Sequence, residues 1–124
     1  YFYPKDNTSG CTKQACSFRD YNEEIAKLGY TIVGVSKDST ESHNKFISKN
    51  NLNFNLISDE DLELHKHFKV WVEKSMYGKK YMGAERSTFL LDKKGEIVKE
   101  WRKVKTTDHA KMIYEELKSI DEEK

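Results

Sequence analysis

Two cysteines, Cys11 and Cys16, are the residues of this sequence best suited to covalent chemistry, and four residues separate them. They follow a turn-rich loop, Pro4-Lys5-Asp6-Asn7-Thr8-Ser9-Gly10, at the mouth of a helical pattern. A pair so placed can staple a loop, hold a metal, or react with itself. In one regular helix five residues advance about 7.5 Å along the axis, which leaves the Cα atoms roughly 8 to 9 Å apart. A disulfide spans at most about 7 Å between Cα atoms, so a bridge is excluded while the helix is intact. Zinc tolerates a C-x₄-C knuckle, but there is no second knuckle. His43, His65, His67 and His109 all lie far along the chain. No metal and no cofactor is expected.

Redox chemistry fits the pair better. Cys11 falls in the first turn of its helix, where free backbone N–H groups and the macrodipole favour an anion. The anion a cysteine supplies is the thiolate. Thr8 offers a hydroxyl toward that sulfur, and Pro4 shields one side while removing a competing N–H. Such a thiolate can attack a peroxide O–O bond and become a sulfenic acid, with which a second thiol condenses. Cys16 stands where that thiol is needed, provided the first helical turns unwind. The C-x-x-C spacing of a thioredoxin-type site is absent, so a thiol–disulfide oxidoreductase is the runner-up. A redox-sensing module with a Cys11–Cys16 switch is the alternative outside enzymes.

The elements that must position these residues follow from periodicity. Tyr1 to Tyr3 reads as the end of a strand halted by Pro4. Ala15, Phe18, Tyr21, Ile25 and Leu28 recur at three- and four-residue steps, predicting a helix from Cys11 to about Leu28 closed by Gly29. Tyr30 to Ser36 is a buried-type strand. A helix over Thr40 to Asn50, capped by Ser39 or Thr40 with Phe46 and Ile47 inward, precedes a short strand, Asn55 to Ser58. Asp59 to Lys69 reads as a third helix with Leu62, Leu64, His65 and Phe68 inward, and Val70 to Glu85 as irregular. Ser87 to Leu91 and Glu96 to Trp101 form a hairpin around Asp92-Lys93-Lys94-Gly95. Asp108 to Ile120 is the last helix, with Met112, Ile113, Leu117 and Ile120 inward, and the tail Asp121 to Lys124 frays. The order β-α-β-α-β-α-β-β-α implies an α/β fold: a thioredoxin-like three-layer sandwich with a mixed central sheet and helices on both faces.

Composition sets the outer bounds. The 124 residues suit one domain, 1–124, with a modest core. Hydrophobic residues make up 36% and charged residues 35%, so the surface is densely charged. Twenty-two basic and 21 acidic residues are interspersed, leaving a net charge of +1 and no footprint for nucleic acid or an anionic membrane. No apolar run reaches the length of a membrane span, and no basic stretch followed by an apolar one stands at the start of the sequence. Two cysteines are too few for a secreted disulfide scaffold, and a cytoplasmic location is expected. The start, Tyr1-Phe2-Tyr3, lacks Met and stands inside a strand pattern; the N-terminal part of the fold is read as missing.

Several stretches together resemble a known family. Tyr3-Pro4-Lys5-Asp6-Asn7-Thr8, Gly10-Cys11-Thr12 and Ala15-Cys16-Ser17-Phe18-Arg19-Asp20 are similar to the peroxiredoxins of the bacterioferritin comigratory protein, or peroxiredoxin Q, type. So are Val70-Trp71, Tyr77-Gly78-Lys79-Lys80-Tyr81-Met82-Gly83 and Glu85-Arg86-Ser87-Thr88-Phe89-Leu90-Leu91-Asp92. The resemblance covers essentially the whole chain. It implies that Cys11 is the peroxidatic cysteine and Cys16 the resolving one, that Pro4 and Thr8 belong to the active-site loop, and that Arg86 supplies a cation. It further implies reduction of hydrogen peroxide and organic hydroperoxides, recycling by thioredoxin, and a monomer. Ser9 stands where relatives commonly have proline. The N-terminal hairpin and front of the first strand expected of the family are absent from the sequence. Beside a thiolate, the Arg86 guanidinium would hold the charge and polarise a peroxide.

Other residues carry blander readings. Arg19 and Asp20 are expected to form a structural ion pair. Trp71, Tyr77, Tyr81 and Met82 either line an approach, dock a reductant, or pack a loop. His65, His67 and His109 are read as solvated or core positions, and Lys93-Lys94 as a solvated turn.

Overall fold

A computed structural model describes residues 1–104 and 109–122. Helix α1 spans Ser9–Lys27, two residues earlier than the periodicity indicates, because Thr8 is extended and its carbonyl already accepts from the Thr12 N–H. Strand β1 (Val33–Ser36), helix α2 (Thr40–Asn50) and strand β2 (Asn55–Ser58) follow. Ser39 caps α2 by accepting from the Ser42 N–H at 3.1 Å. β1 and β2 pair in parallel, Val33 with Asn55 through Ser36 with Ser58.

Two stretches depart from the sequence reading. The third helix shrinks to α3 (Glu63–His67), since Leu62 and Lys69 adopt left-handed backbone at either end. The Asp59 carboxylate takes the Leu64 and His65 N–H groups and so sets the helix start. Leu64 and Phe68 remain inward, and His65 is fully buried. The stretch expected to be irregular is a hairpin, β3 (Trp71–Met76) with β4 (Lys79–Ala84), paired Trp71 to Ala84 through Met76 to Lys79. Its turn is Tyr77-Gly78, both at positive φ, the two-residue geometry whose twist matches antiparallel strands. The strands carry Glu73, Lys74, Lys79 and Lys80 and face solvent for much of their length, which hides them from an apolar alternation test.

β5 (Thr88–Leu91) and β6 (Ile97–Trp101) make the hairpin expected from the sequence, and α4 (His109–Glu122) closes the described chain. The Asp108 start of that helix and the last two residues of the tail expected to fray lie outside the described residues, whereas Asp121 and Glu122, also expected to fray, continue the helix. Ile113 and Leu117 are buried as read; Met112 is instead exposed, and Ala110 takes the inward position.

The segment Tyr1–Tyr3 ties the sheets together. Phe2 bridges Val35 in parallel and Ser87 antiparallel. Its N–H donates to the Ser87 carbonyl at 2.7 Å, while Val35 N–H donates to the Tyr1 carbonyl at 2.7 Å. Successive side chains of an extended segment face opposite ways. Tyr1 and Tyr3 accordingly enter the core with Phe18, Ile25, Phe46, Phe54, Ile113 and Leu117, under α1 and α4. Phe2 joins Val35 and Val70 on the other face, with Leu64, Phe68 and Phe89 around them. The strands form three two-stranded sheets, β1–β2, β3–β4 and β5–β6, and the Phe2 bridges join the parallel first to the antiparallel last, with helices on both faces. Gly34 permits the tight fit: a Cβ there would stand 2.6 Å from a Leu56 methyl and 3.2 Å from the Tyr1 ring.

Candidate active site

The loop from Pro4 to Thr8 leads out of the central segment and straight into α1. It is held from below by a buried polar network. Asp6 receives the Tyr3 hydroxyl at 2.5 Å, the Ser42 hydroxyl at 2.8 Å and His43 Nδ1 at 2.7 Å. His43 Nε2 meets the Ile57 carbonyl at 3.0 Å. The Asp6 N–H donates to Asp38, which also accepts from the Ser36 hydroxyl. The loop is therefore fixed to α2, β1 and β2 before the helix begins.

Cys11 is the third residue of α1 and is 1% exposed. Its sulfur accepts from Arg86 Nη2 at 3.2 Å. The other terminal nitrogen of Arg86, Nη1, donates to Gln14 Oε1. Gln14 lies one turn beyond Cys11 on the same helix face and is fully buried. Arg86 comes from the short link between β4 and β5, and both neighbours are pinned: Glu85 N–H to the Val70 carbonyl, and Ser87 reciprocally to Phe2. Its guanidinium is thereby aimed at the helix start from across the sheet. A cation, a helix N-terminus and a buried sulfur converge in a small volume, an arrangement that favours an oxyanion formed beside the sulfur.

Lys74 of β3 adds a second positive group to this surrounding. Burial lowers its pKa first and the Arg86 charge lowers it further, while Cys11 and Glu85 oppose both. Its stem lies over Gly83, whose hypothetical Cβ would be 3.2 Å from Lys74 Cδ.

The structure brings together Cys11 and Arg86, 75 positions apart in sequence. Pro4 is half-buried in the loop. Thr8 departs from expectation. It is exposed, and its hydroxyl donates to the Lys5 carbonyl at 3.0 Å rather than toward Cys11, closing the loop turn instead. Cys16 sits two turns into the same helix, half-buried, and both thiols are free. Its sulfur lies 3.9 Å from Asn50 Oδ1 at the end of α2, so the helix separates it from Cys11 as the spacing requires.

Sequence reasoning missed Gln14, Asp6 and His43. A polar residue inside the stripe formed by Cys11, Ala15 and Phe18 is the signal that would have marked Gln14. The remaining histidines divide between the two readings given them. His67 is exposed. His65 is buried with Nδ1 2.6 Å from Asp59. His109 meets the Thr88 hydroxyl at 2.8 Å; burial first, with the Arg86 charge adding to it, pushes its pKa down. Among the described residues no three His, Cys, Asp or Glu side chains converge as a metal set. Met76, Tyr77, Tyr81 and Met82 are exposed on the β3–β4 hairpin, which sets aside the loop-packing reading for Tyr77, Tyr81 and Met82. No helix among the described residues is long and apolar enough to cross a membrane.

Fold and site together are those of a thiol peroxidase. The AhpC/TSA family pattern matches residues 1–100, and the chain belongs to that family. Within it the chain is a peroxiredoxin of the bacterioferritin comigratory protein type. It is 53% identical over 122 residues to peroxiredoxin Bcp of Bacillus subtilis, covering 98% of this chain and 78% of that one. Against peroxiredoxin Bcp of Escherichia coli K12 it is 44% identical, covering 95% and 76%. A solved structure of the Xanthomonas campestris bacterioferritin comigratory protein, described for its alkyl peroxide reduction, superposes with a TM-score of 0.92 at 46% identity, covering 98% of this chain and 77% of that one. The sandwich, the family and the enzyme class read from the sequence are thereby borne out.

Proposed function

We propose that Cys11 is the peroxidatic nucleophile and Cys16 the resolving thiol of a thioredoxin-recycled, monomeric peroxidase acting on hydrogen peroxide and organic hydroperoxides. The observation that carries this reading is the 3.2 Å contact between Arg86 Nη2 and the buried Cys11 sulfur at a helix N-terminus. The Cys11 thiolate attacks the terminal peroxide oxygen, the O–O bond breaks, and the departing alkoxide takes a proton and leaves as alcohol or water. Cys11 becomes a sulfenic acid. Arg86 stands where charge builds on the peroxide oxygens, and the Gln14 contact holds its second nitrogen so that one arm stays on the site. Pro4 and the Thr8 turn shape the loop beside the sulfur.

Condensation with Cys16 requires the start of α1 to unwind, because the folded helix exceeds disulfide reach. The likeness to the alkyl-peroxide-reducing Xanthomonas protein supports organic hydroperoxides as substrates. The test is peroxide consumption coupled to thioredoxin and thioredoxin reductase. Wild type is expected to turn over continuously. The Cys16→Ser variant is expected to consume one equivalent and stop, and mass spectrometry of oxidised wild type to find Cys11 linked to Cys16 within one chain. Insulin-type disulfide reduction without peroxide turnover would instead select an oxidoreductase. Stoichiometric oxidation without recycling would select a sensor.

A further inference from the structure

Cys16 is built into a seam between two helices, and the Arg19 side chain supplies the charged contact of that seam. Along a single face of α1, at three-residue steps, stand Cys16, Arg19 and Asn22, and all three meet the C-terminal end of α2 or the residues just after it. Cys16 Sγ contacts Asn50 Oδ1. Arg19 Nη1 donates to the Asn50 carbonyl at 2.7 Å. The Arg19 carbonyl accepts from Asn53 Nδ2 at 3.2 Å, and Asn22 Nδ2 donates to the Asn53 carbonyl at 3.0 Å. Asn50 itself is anchored, its Nδ2 donating to the Phe46 carbonyl at 3.1 Å. Arg19 is oriented by Asp20 at 3.0 Å and places its cation on a terminal carbonyl of α2, where unpaired acceptors and the helix dipole favour positive charge.

The other end of α1 is held differently. Thr8 makes no side-chain cap, no acid stands in the first turn, and the side-chain hydrogen bonds of Cys11 and Gln14 run to one residue, Arg86. Once Cys11 carries a sulfenic oxygen in that close-packed place, its Arg86 contact is the one most disturbed. For Cys11 to reach Cys16 as the resolving thiol, the unwinding has to begin at the Ser9 end and stop short of Cys16.

We infer that Arg19 is a positioning residue for the resolving step: it clamps the Cys16 turn of α1 to the end of α2, so that the unwound Cys11 closes on a thiol that stays in place. The inference rests on the reading of Cys16 as the resolving cysteine. The chemistry is balanced by the two thiols alone. Cys16 gives up its proton and its sulfur attacks the Cys11 sulfenic sulfur. The S–S bond forms, the S–O bond breaks, and the oxygen leaves as water with that proton. Arg19 touches neither sulfur and acts through Asn50.

The experiment compares wild type with Arg19→Gln and Arg19→Lys by rapid mixing with hydrogen peroxide, following sulfenic acid and disulfide separately. In Arg19→Gln the peroxide step is expected to stay within about twofold, while disulfide formation slows by about tenfold, since a reacting group out of place by about 1 Å costs up to 10²-fold. Arg19→Lys keeps a cationic donor for the α2 carbonyl and is expected to recover most of that loss. The longer-lived sulfenic acid of Arg19→Gln should also give more Cys11 sulfinic acid per turnover by mass spectrometry. Disulfide formation within twofold of wild type in Arg19→Gln, or equal slowing of both steps in both variants, overturns the inference while leaving Cys16 as the resolving thiol. Oxidised wild type without a Cys11–Cys16 disulfide defeats both readings, and that outcome is visible before any Arg19 variant is made.

Discussion

Replacing His43 by leucine would show how firmly the loop that carries Cys11 is held. Asp6 is 4% exposed and His43 2% exposed, so the pair is shielded from water. Both ring nitrogens of His43 face acceptors, Asp6 Oδ2 at 2.7 Å and the Ile57 carbonyl at 3.0 Å, an arrangement that calls for a proton on each. Burial alone would lower the His43 pKa, but the hydrogen bond and charge of Asp6 and the Ile57 carbonyl overcome it and raise the pKa above 6.5. Burial would likewise raise Asp6, but the donors His43, Tyr3 and Ser42 hold it below 3.8. Leucine leaves a buried carboxylate with two hydroxyl donors and no counter-charge, and breaking one partner of a buried pair costs about 3–5 kcal/mol. That is a large share of the total stability of about 5–15 kcal/mol ordinary for a domain.

The sign of the pH dependence follows from the two directions. A raised histidine pKa contributes stability that is fully present below pH 6.5 and is lost as pH rises through the folded value. A depressed carboxylate pKa contributes stability present above pH 3.8 and lost as pH falls through the folded value. The gap between wild type and His43→Leu should thus be widest between those two limits and narrow in alkali. Urea unfolding of the reduced proteins from pH 4 to 9 measures it. A gap under about 1 kcal/mol at pH 6, or one that widens steadily above pH 7, would refute the charged-pair reasoning.

Three further outcomes are expected. Cys11→Ser should abolish peroxide consumption while keeping the far-ultraviolet circular dichroism of wild type; activity retained in that variant would remove Cys11 as nucleophile. Arg86→Ala should slow the first step on the order of 10²-fold, and Gln14→Leu, which leaves the guanidinium present but frees one arm, should slow it less, by about tenfold; competition kinetics for peroxide separates the two. Gly34→Ala should cost about 1–3 kcal/mol in urea unfolding, because its methyl group would overlap Leu56 and press on the Tyr1 ring.

What could be read from the sequence was whatever depends on local periodicity or on a local motif. The stripe from Ala15 to Leu28 revealed α1, and Thr40 to Asn50 matched α2 to the residue, with Ser39 as the legible cap and Asn51, left-handed in the structure, ending the helix. The β3–β4 hairpin escaped because its turn is Tyr-Gly rather than Asn-Gly and its strands are rich in lysine. α3 was overextended because Asp59, read as a helical residue, spends its carboxylate on the backbone N–H groups of Leu64 and His65. At the site, Cys11 and Arg86 were named in advance, the arginine through family resemblance. The Thr8 hydroxyl was misdirected, since a side chain at a helix boundary can turn to either neighbour and the choice is made by loop closure with Lys5. Gln14, Asp6 and His43 belong to contacts between elements, which no periodicity encodes.

The absence of a strong cap on α1 has a physical sense on this mechanism. A side-chain cap stabilises a helix start by about 0.5–2 kcal/mol, and acids in the first turn add to it. Here neither is present, although Thr8 is of a type able to cap. An acid in that turn would repel the Cys11 thiolate from the positive end of the dipole, and a firm cap would resist the unwinding that brings Cys11 to Cys16. The helix start is instead held from outside, by Arg86 bonding Cys11 and Gln14, and the first of these two contacts is made to the sulfur itself. Oxidation disturbs one of them directly. On the proposed mechanism the Asp6–His43 network below the loop and the Arg19–Asn50 seam at the Cys16 turn would bound the segment that unwinds, so that the change needed for chemistry would stay between two fixed points of the fold.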